Sequence, residues 1–399
     1  MNPIPYGKQN ITENDIQAVI ETLKSDYLTQ GPKIAEFEDA FAKYVGSKYA
    51  VAVANGTAAL HLCTLALDVK FGDKVITTPI TFAASANCIR YAGGEVVFGD
   101  INPDTYLLDL KSVRDLLEKS PKGTYKGIIP VDFAGRAVNL EEFKNLAKEF
   151  DLWIIEDSCH SPGGYFTDSN NQKQTCGNGK FADLAIFSFH PVKHIASGEG
   201  GMITTNDEDL YNRLLKLRTH GITKNEASYT NSIEFAGGKE SYPSWYMEMQ
   251  ELGYNYRLTD FQAALGLSQL KRAEEGISRR REIAEKYNEA LSNQNFIKGQ
   301  SGLIEGHAYH LYIIEVENRL GLYNFLRENN IFAQIHYIPC HLMPYYRQFG
   351  WKEGDRPNSE EYYKTCISLP MFPTLTDSEQ EYIINTILNF YKKNDHFRN

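Results

Sequence analysis

Short apolar runs alternate with amphipathic stretches along most of the chain. Residues 49–54, 74–77, 95–98, 127–131, 152–155, 184–187 and 202–205 have the length and residue types of buried strands. Between them, 58–67, 110–117 and 140–150 carry apolar residues at helical spacing. Nearer the start, Thr12-Glu13-Asn14-Asp15 resembles a capping box, and Ile16, Val19, Ile20 and Leu23 fall on one helical face. Pro32 opens a second helix whose face is Ile34, Phe37, Phe41 and Tyr44. From Thr259 to about Leu291 a helical pattern runs without proline, which predicts a helix, bent near Gly276, that bridges two domains.

Strands alternating with helices predict an α/β fold. The expected division is a larger unit with a mostly parallel central sheet over 1–258. The bridging helix and a smaller α/β domain follow over 259–399. The segment 223–246 lacks periodicity and is rich in Ser, Asn, Gly and Tyr. A substrate-facing loop is expected there, with a disordered surface loop as the alternative. There is no internal repeat or low-complexity tract.

Composition narrows the function classes. At 399 residues with net charge −10, the chain can bury ample core and is poorly suited to non-specific nucleic-acid binding. That charge still allows a nucleotide-linked ligand, because one diphosphate needs only local cations. No apolar run reaches membrane-spanning length, and Met1-Asn2-Pro3-Ile4 lacks a charged-then-apolar signal pattern. The expectation is a cytoplasmic protein with no membrane partner. Six cysteines without CxxC spacing read as reduced thiols. Cys159-His160 and His336…Cys340-His341 lack the usual zinc spacings, so no metal is expected.

Three elements carry candidate chemistry. Ser188-Phe189-His190-Pro191-Val192-Lys193 runs into Ser197-Gly198-Glu199-Gly200-Gly201 between two apolar strands. Burial favours the neutral amine of a lysine there, and a neutral amine forms Schiff bases with aldehydes. An apolar strand ends in Glu156-Asp157, and ligands of open α/β sheets bind at the carboxyl ends of strands. Taken alone, Asp157 could equally cap a helix. Asn55-Gly56-Thr57 forms a strand-to-helix turn of the kind that binds anions through free amides and the helix dipole. Pyridoxal phosphate needs all three: a lysine for its aldehyde, an acid for its ring nitrogen and a cradle for its phosphate. A nicotinamide-binding oxidoreductase would want G-x-G-x-x-G at the turn, which Asn55-Gly56-Thr57-Ala58-Ala59-Leu60 does not supply.

The chain resembles the DegT/DnrJ/StrS sugar aminotransferases of the fold-type-I pyridoxal-phosphate group. The likeness runs from Ile4 to about Ile387. It is carried by Leu28-Thr29-Gln30-Gly31-Pro32, Asn55 to Leu60, Thr78-Pro79-Ile80-Thr81-Phe82 and Glu156-Asp157-Ser158-Cys159-His160. Ser188 to Gly201, Arg218-Thr219-His220-Gly221-Ile222, Gly253-Tyr254-Asn255-Tyr256-Arg257-Leu258 and Ser368-Leu369-Pro370 complete the set. The resemblance implies that Lys193 links to the cofactor and shuttles the proton, while Asp157 pairs with the ring nitrogen. Gly56, Thr57 and Ser188 would hold the phosphate, and Phe82 would stack on the ring, core packing being its alternative use. His160 stands where the family often has glutamine against the ring's 3-oxygen. Asn255 would reach the cofactor phosphate of a second subunit, implying a homodimer with shared active sites. Thr29, Arg218, His220, Arg257 and His336 are the candidate substrate contacts. Arg218, His220 and Arg257 would serve equally as ion-pair partners, and His336 and His341 as packing residues.

The implied reaction moves the amino group of L-glutamate to a nucleotide-linked keto-sugar. Relatives that act as sugar dehydratases carry histidine in place of this lysine, so Lys193 argues against that branch. The blocks around Lys193 and Asn255 look most like the pseudaminic-acid branch, which aminates C4 of a UDP-linked 4-keto-2-acetamido-2,6-dideoxy hexose. That branch often has Ser-Ala-Thr-Ser where this chain has Asn55-Gly56-Thr57-Ala58. Amination of a dTDP- or GDP-linked keto-sugar is the rival reading. A catalytically silent protein that keeps the fold is the non-enzyme alternative.

Overall fold

In the computed structural model, which describes residues 2–395, seven strands form the main sheet. They are β1 Tyr49–Val53, β2 Lys74–Thr77, β3 Glu95–Phe98, β4 Tyr125–Ile129, β5 Trp153–Asp157, β6 Leu184–Ser188 and β7 Gly201–Thr205. Their spatial order is β1-β7-β6-β5-β4-β2-β3. Strands β6, β5, β4, β2 and β3 are parallel neighbours, while β7 is antiparallel to both β1 and β6. The expectation of a mostly parallel sheet holds. The interior strands are nearly all apolar and buried, as a sheet covered on both faces requires.

Two strands depart from the sequence reading by two residues at an end, the others by one at most. Strand β4 begins two residues earlier than expected and stops at Ile129, because Pro130 has no N–H for the ladder. Strand β5 continues past its apolar run and takes Glu156 and Asp157 into the sheet.

The helices in chain order are α1 Glu13–Leu23, α2 Pro32–Val45, α3 Gly56–Ala66, α4 Ala84–Tyr91, α5 Leu110–Glu118, α6 Leu140–Phe150, α7 Glu208–Arg218, α8 Asp260–Leu270 and α9 Ala273–Leu291. The Thr12–Asp15 capping box is present on α1, but its apolar stripe is not turned inward. Ile16 and Leu23 are 43% and 54% exposed, whereas Asp15 and Thr22 are buried. The cause is Asp15, whose carboxylate accepts from Gln269 at 2.8 Å and pairs with Arg272 at 2.7 Å. That pairing turns the polar edge of α1 toward the α8 end.

The same Arg272 marks the break between α8 and α9, so the long helical pattern is interrupted at Lys271-Arg272 rather than bent at Gly276. After α9 come three antiparallel strands, β8 Ile297–Gln300, β9 Tyr312–Val316 and β10 Cys366–Leu369, in the order β8-β9-β10. Their core joins Ile283, Tyr287 and Leu291 of α9 with Ile383 and Ile387 of the helix Asp377–Asp395. Among the described residues, no helix is long and apolar enough to cross a membrane.

Candidate active site

The carboxyl ends of β5 and β6 deliver Asp157 and Ser188 to one edge of the sheet, and the loop after β6 carries Lys193. Strand β7 starts at that edge because it runs the opposite way. Its first residue, Gly201, lies opposite both Ser188 and Val53. A Cβ on Gly201 would come within 2.6 Å of the Asn55 carbonyl, so only glycine lets the β1–α3 turn close over it. Turn, Ser188 and Lys193 thereby face a common cavity of about 510 Å³.

One end of that cavity suits a phosphate. Asn55 caps α3 by accepting from the Ala58 amide at 2.8 Å. The helix leaves the amides of Gly56 and Thr57 without an acceptor one turn back. The Thr57 and Ser188 side chains line the same cavity. A Cβ at Gly56 would sit 3.1 Å from Ser188 Cβ, which shows how closely the β1–α3 turn and the end of β6 meet.

Asp157 lies deeper and is 4% exposed. Its Oδ2 accepts from Ser85 Oγ at 2.6 Å and its Oδ1 from the Cys159 amide at 3.2 Å. Thr81 and Ser85 hydroxyls are 2.7 Å apart and continue that chain. Behind Asp157 sit two more buried acids, with Asp132 accepting from Ser161 at 2.6 Å and Glu156 from the Gly177 amide at 2.9 Å. Burial pushes both carboxyls up, and the charge of Asp132 beside it pushes Glu156 well above its ordinary value.

Lys193 sits where burial holds its amine below the ordinary lysine range. Cys159 and Asp157 act against that shift, and Arg280 acts with it. His160 accepts from the Ala134 amide at Nδ1 (3.2 Å), which leaves its proton on Nε2, 3.4 Å from the Tyr337 hydroxyl. Burial first, and then the neighbouring Lys193, keep His160 neutral. Phe82 stands at the mouth, 63% exposed, with its ring 6.4 Å from that of Tyr337.

Of the residues singled out in the sequence, Gly56, Thr57, Phe82, Asp157, His160, Ser188, Lys193 and His336 line this cavity. His336 is hydrogen-bonded through Nδ1 to Ser368 Oγ at 2.9 Å. Thr29, Arg218, His220, Asn255 and Arg257 lie elsewhere in the chain. Arg218 pairs with Glu38 at 2.5 Å and donates to the Ala52 carbonyl at 2.7 Å. Arg218 and Arg257 line a separate hollow of about 270 Å³ with Glu38. The His220 amide donates to the Tyr254 carbonyl at 2.9 Å, Asn255 is exposed and bridges Thr219, and Thr29 bridges Thr259. His341 is buried against Glu360 at 3.0 Å.

The excursion after Thr223 is closed by the short pairing of Ile222–Thr223 with Glu248–Met249, and none of it lines the Lys193 cavity. The sequence reading missed Tyr6, Ser85, His310 and Tyr337, which do. Ser85 follows Phe82 by one helical turn, a spacing that could have flagged it. His310 and Tyr6 arrive from opposite ends of the chain with no local signal.

The model of the DegT/DnrJ/EryC1/StrS aminotransferase family matches residues 9–388. The spore coat polysaccharide biosynthesis protein SpsC of Bacillus subtilis is 37% identical over 98% of each chain. A UDP-4-amino-4,6-dideoxy-N-acetyl-beta-L-altrosamine transaminase of Campylobacter jejuni is 34% identical, again over 98% of each. Among solved structures, Helicobacter pylori PseC, an aminotransferase involved in pseudaminic acid biosynthesis, matches with TM-score 0.85 and 29% identity. The match covers 98% of this chain and 100% of that one. Spr1654 of Streptococcus pneumoniae in its PLP form also matches with TM-score 0.85 and 29% identity, over 98% and 99%. The chain belongs to the DegT/DnrJ/EryC1/StrS family and is a pyridoxal-phosphate-dependent sugar aminotransferase.

Proposed function

We propose that this enzyme moves the amino group of L-glutamate to C4 of a UDP-linked 4-keto-2-acetamido-2,6-dideoxy hexose. The altrosamine transaminase relative and the PseC fold support that substrate. The observation that carries the reading is the convergence of Lys193, Asp157 and the Gly56–Thr57–Ser188 cradle on one cavity. The donor set fits the cofactor: a cradle of amides and hydroxyls for a dianion, a buried carboxylate for a ring nitrogen, and an amine held toward its neutral form.

When bound, pyridoxal phosphate supplies an electron sink that stabilises negative charge developing on the substrate carbon. The protein's own part is positional and protolytic. Gly56, Thr57 and Ser188 would hold the phosphate, and Asp157, fixed by Ser85, would keep the ring nitrogen protonated. His160 would donate from Nε2 to the ring oxygen, and Phe82 would cover the ring's outer face. Lys193 would anchor the cofactor. Its Nζ, once released, would take the proton from the donor's α-carbon and later return one to the sugar carbon. Deoxyamino-sugar biosynthesis in the cytoplasm is the setting this reading implies.

Arg218 stays outside it, since its charge is committed to Glu38. Asn255 would act on the cavity of a second subunit, as a homodimer with shared sites requires, and Thr29, His220 and Arg257 would meet the substrate there. A dTDP- or GDP-linked keto-sugar is the second reading, favoured by Asn55-Gly56-Thr57-Ala58 standing where the pseudaminic-acid branch often has Ser-Ala-Thr-Ser. The test is an absorbance titration with pyridoxal phosphate, then L-glutamate, then a panel of nucleotide-linked 4-keto-sugars, with Lys193→Ala as control. The expected result is a Lys193-dependent spectrum that glutamate changes and the UDP-linked sugar restores. Restoration only by a dTDP- or GDP-linked sugar would move the assignment to that nucleotide, and no Lys193-dependent spectrum would overturn the site.

A further inference from the structure

Arg280, on α9, is 1% exposed, yet among the described residues no carboxylate forms an ion pair with it. Its Nη1 donates instead to three backbone carbonyls: Tyr309 at 3.1 Å, His310 at 3.2 Å and Met371 at 3.0 Å. Its Nε has no partner at all. A buried cation without a counter-charge is costly, and burial pushes this guanidinium down to about 10. Its placement therefore calls for a return elsewhere in the molecule.

The carbonyls it meets lie in two places, the corner that enters β9 and the residue just beyond Pro370 after β10. The corner is tightly held. Tyr309 has φ +47°, a region that tyrosine rarely occupies. On its far side a Cβ on Gly135 (φ +98°) would come within 2.9 Å of the Tyr309 and His310 amide nitrogens. His194 Nε2 lies 2.8 Å from the Ala308 carbonyl. The corner's product is His310, 4% exposed, lining the Lys193 cavity with its ring centroid 4.2 Å from that of His160 and its Nδ1 without a partner.

We propose that Arg280 is a positioning residue of the transamination site: by gripping the Tyr309 and His310 carbonyls it fixes the His310 ring as the wall that backs His160. The proposal rests on the aminotransferase reading of the cavity. The same charge reaches Lys193. Asp157 and Cys159 favour the charged amine; Arg280 opposes it, among the neutral rings of His160, His194, His310 and His336.

The test starts with cofactor-free protein. Lys193 is acylated competitively across pH and its peptide read by mass spectrometry, in the unsubstituted chain and in Arg280→Met, Arg280→Lys and His310→Ala. Arg280→Met is expected to raise the Lys193 midpoint, because it removes a charge that opposes the ammonium. It should slow the L-glutamate half-reaction about tenfold, with KM little changed. Arg280→Lys keeps the charge but cannot span three carbonyls, so it should restore the midpoint and only part of the rate. His310→Ala should slow the half-reaction with the midpoint in place. A folded Arg280→Met protein matching the unsubstituted chain in both readouts overturns the proposal. If Arg280→Met does not fold, an unchanged rate in His310→Ala overturns it. Should the unsubstituted chain show no half-reaction while the Arg280→Met midpoint still moves, the substrate reading fails and the link from Arg280 to Lys193 stands.

Discussion

Lys193 and Arg218 are both cations drawn in from the surface, and their surroundings differ in one respect. Arg218 has a carboxylate at 2.5 Å and a carbonyl at 2.7 Å, so its charge is spent on holding α7 to α2 and β1. Lys193 has no ion-pair partner that close among the described residues, and burial lowers its amine instead. A paired buried cation builds structure, whereas one left without a close partner is free to take part in chemistry. Both lysine and arginine stood in motif blocks of the sequence, and only the neighbours distinguish them.

The sharpest way to break this contrast is to delete each charge. Lys193→Ala should abolish the glutamate half-reaction, by about a thousandfold or more, while the thermal midpoint barely changes. Arg218→Met should do the reverse and cost about 3 kcal/mol in denaturant unfolding, because Glu38 is left buried without its cation. A large rate loss with intact stability in Arg218→Met would collapse the distinction.

Acids extend the comparison. Asp157→Asn removes the charge proposed to face the ring nitrogen and should cost about tenfold to a hundredfold in cofactor affinity or rate, read in the same titration. Glu156→Gln, one residue away, should be mild and of opposite sign. Folding raises the Glu156 carboxyl well above 4.5, so its contribution is complete at low pH and lost as pH rises through the folded value. The glutamine, freed of that loss, should gain about 1 kcal/mol over the unsubstituted chain in mildly alkaline buffer and nothing near pH 4.

The smallest effect is expected at Glu248. Desolvation works against its ionised form, but the amides of Asn231 and Thr230 outweigh it and bring the carboxyl down to about 2. Because the folded value lies below 4.5, the order it gives is complete above that pH and fades as pH falls toward about 2. Amide exchange over 224–247 in Glu248→Gln should speed up at pH 7 without altering the Lys193 cavity.

Much of this arrangement was legible before any coordinates. Strand β2, strand β3 and α6 fall where the apolar pattern put them, because period and length are local properties. Lys193, Asp157 and the Asn55 turn were readable because each sits at a strand end, where an apolar run meets polar residues. The errors share a physical cause as well. The break at Arg272, the inward polar edge of α1 and the arrival of His310 all depend on partners far away in sequence: Asp15 with Arg272, and Arg280 with the Tyr309 corner. The unpatterned 223–246 stretch misled differently. It is tied down by the Glu248 carboxylate and by the packed rings of Tyr229, Tyr242 and Tyr246 rather than by a periodic apolar face.

The place of β7 has a consequence for how the molecule is made. Strand β1 emerges early in synthesis, yet its ladder partner among the described strands, β7, is the last strand of the sheet to appear. Until then Tyr-Ala-Val-Ala-Val is an open apolar edge, a template for pairing with other nascent chains. The high contact order of that closure makes it a slow step. Because β7 also draws Gly201 against Asn55, the anion cradle exists only once the sheet is sealed. Adding the phosphate-bearing ligand during refolding should therefore capture finished molecules and leave the open-edged ones to aggregate.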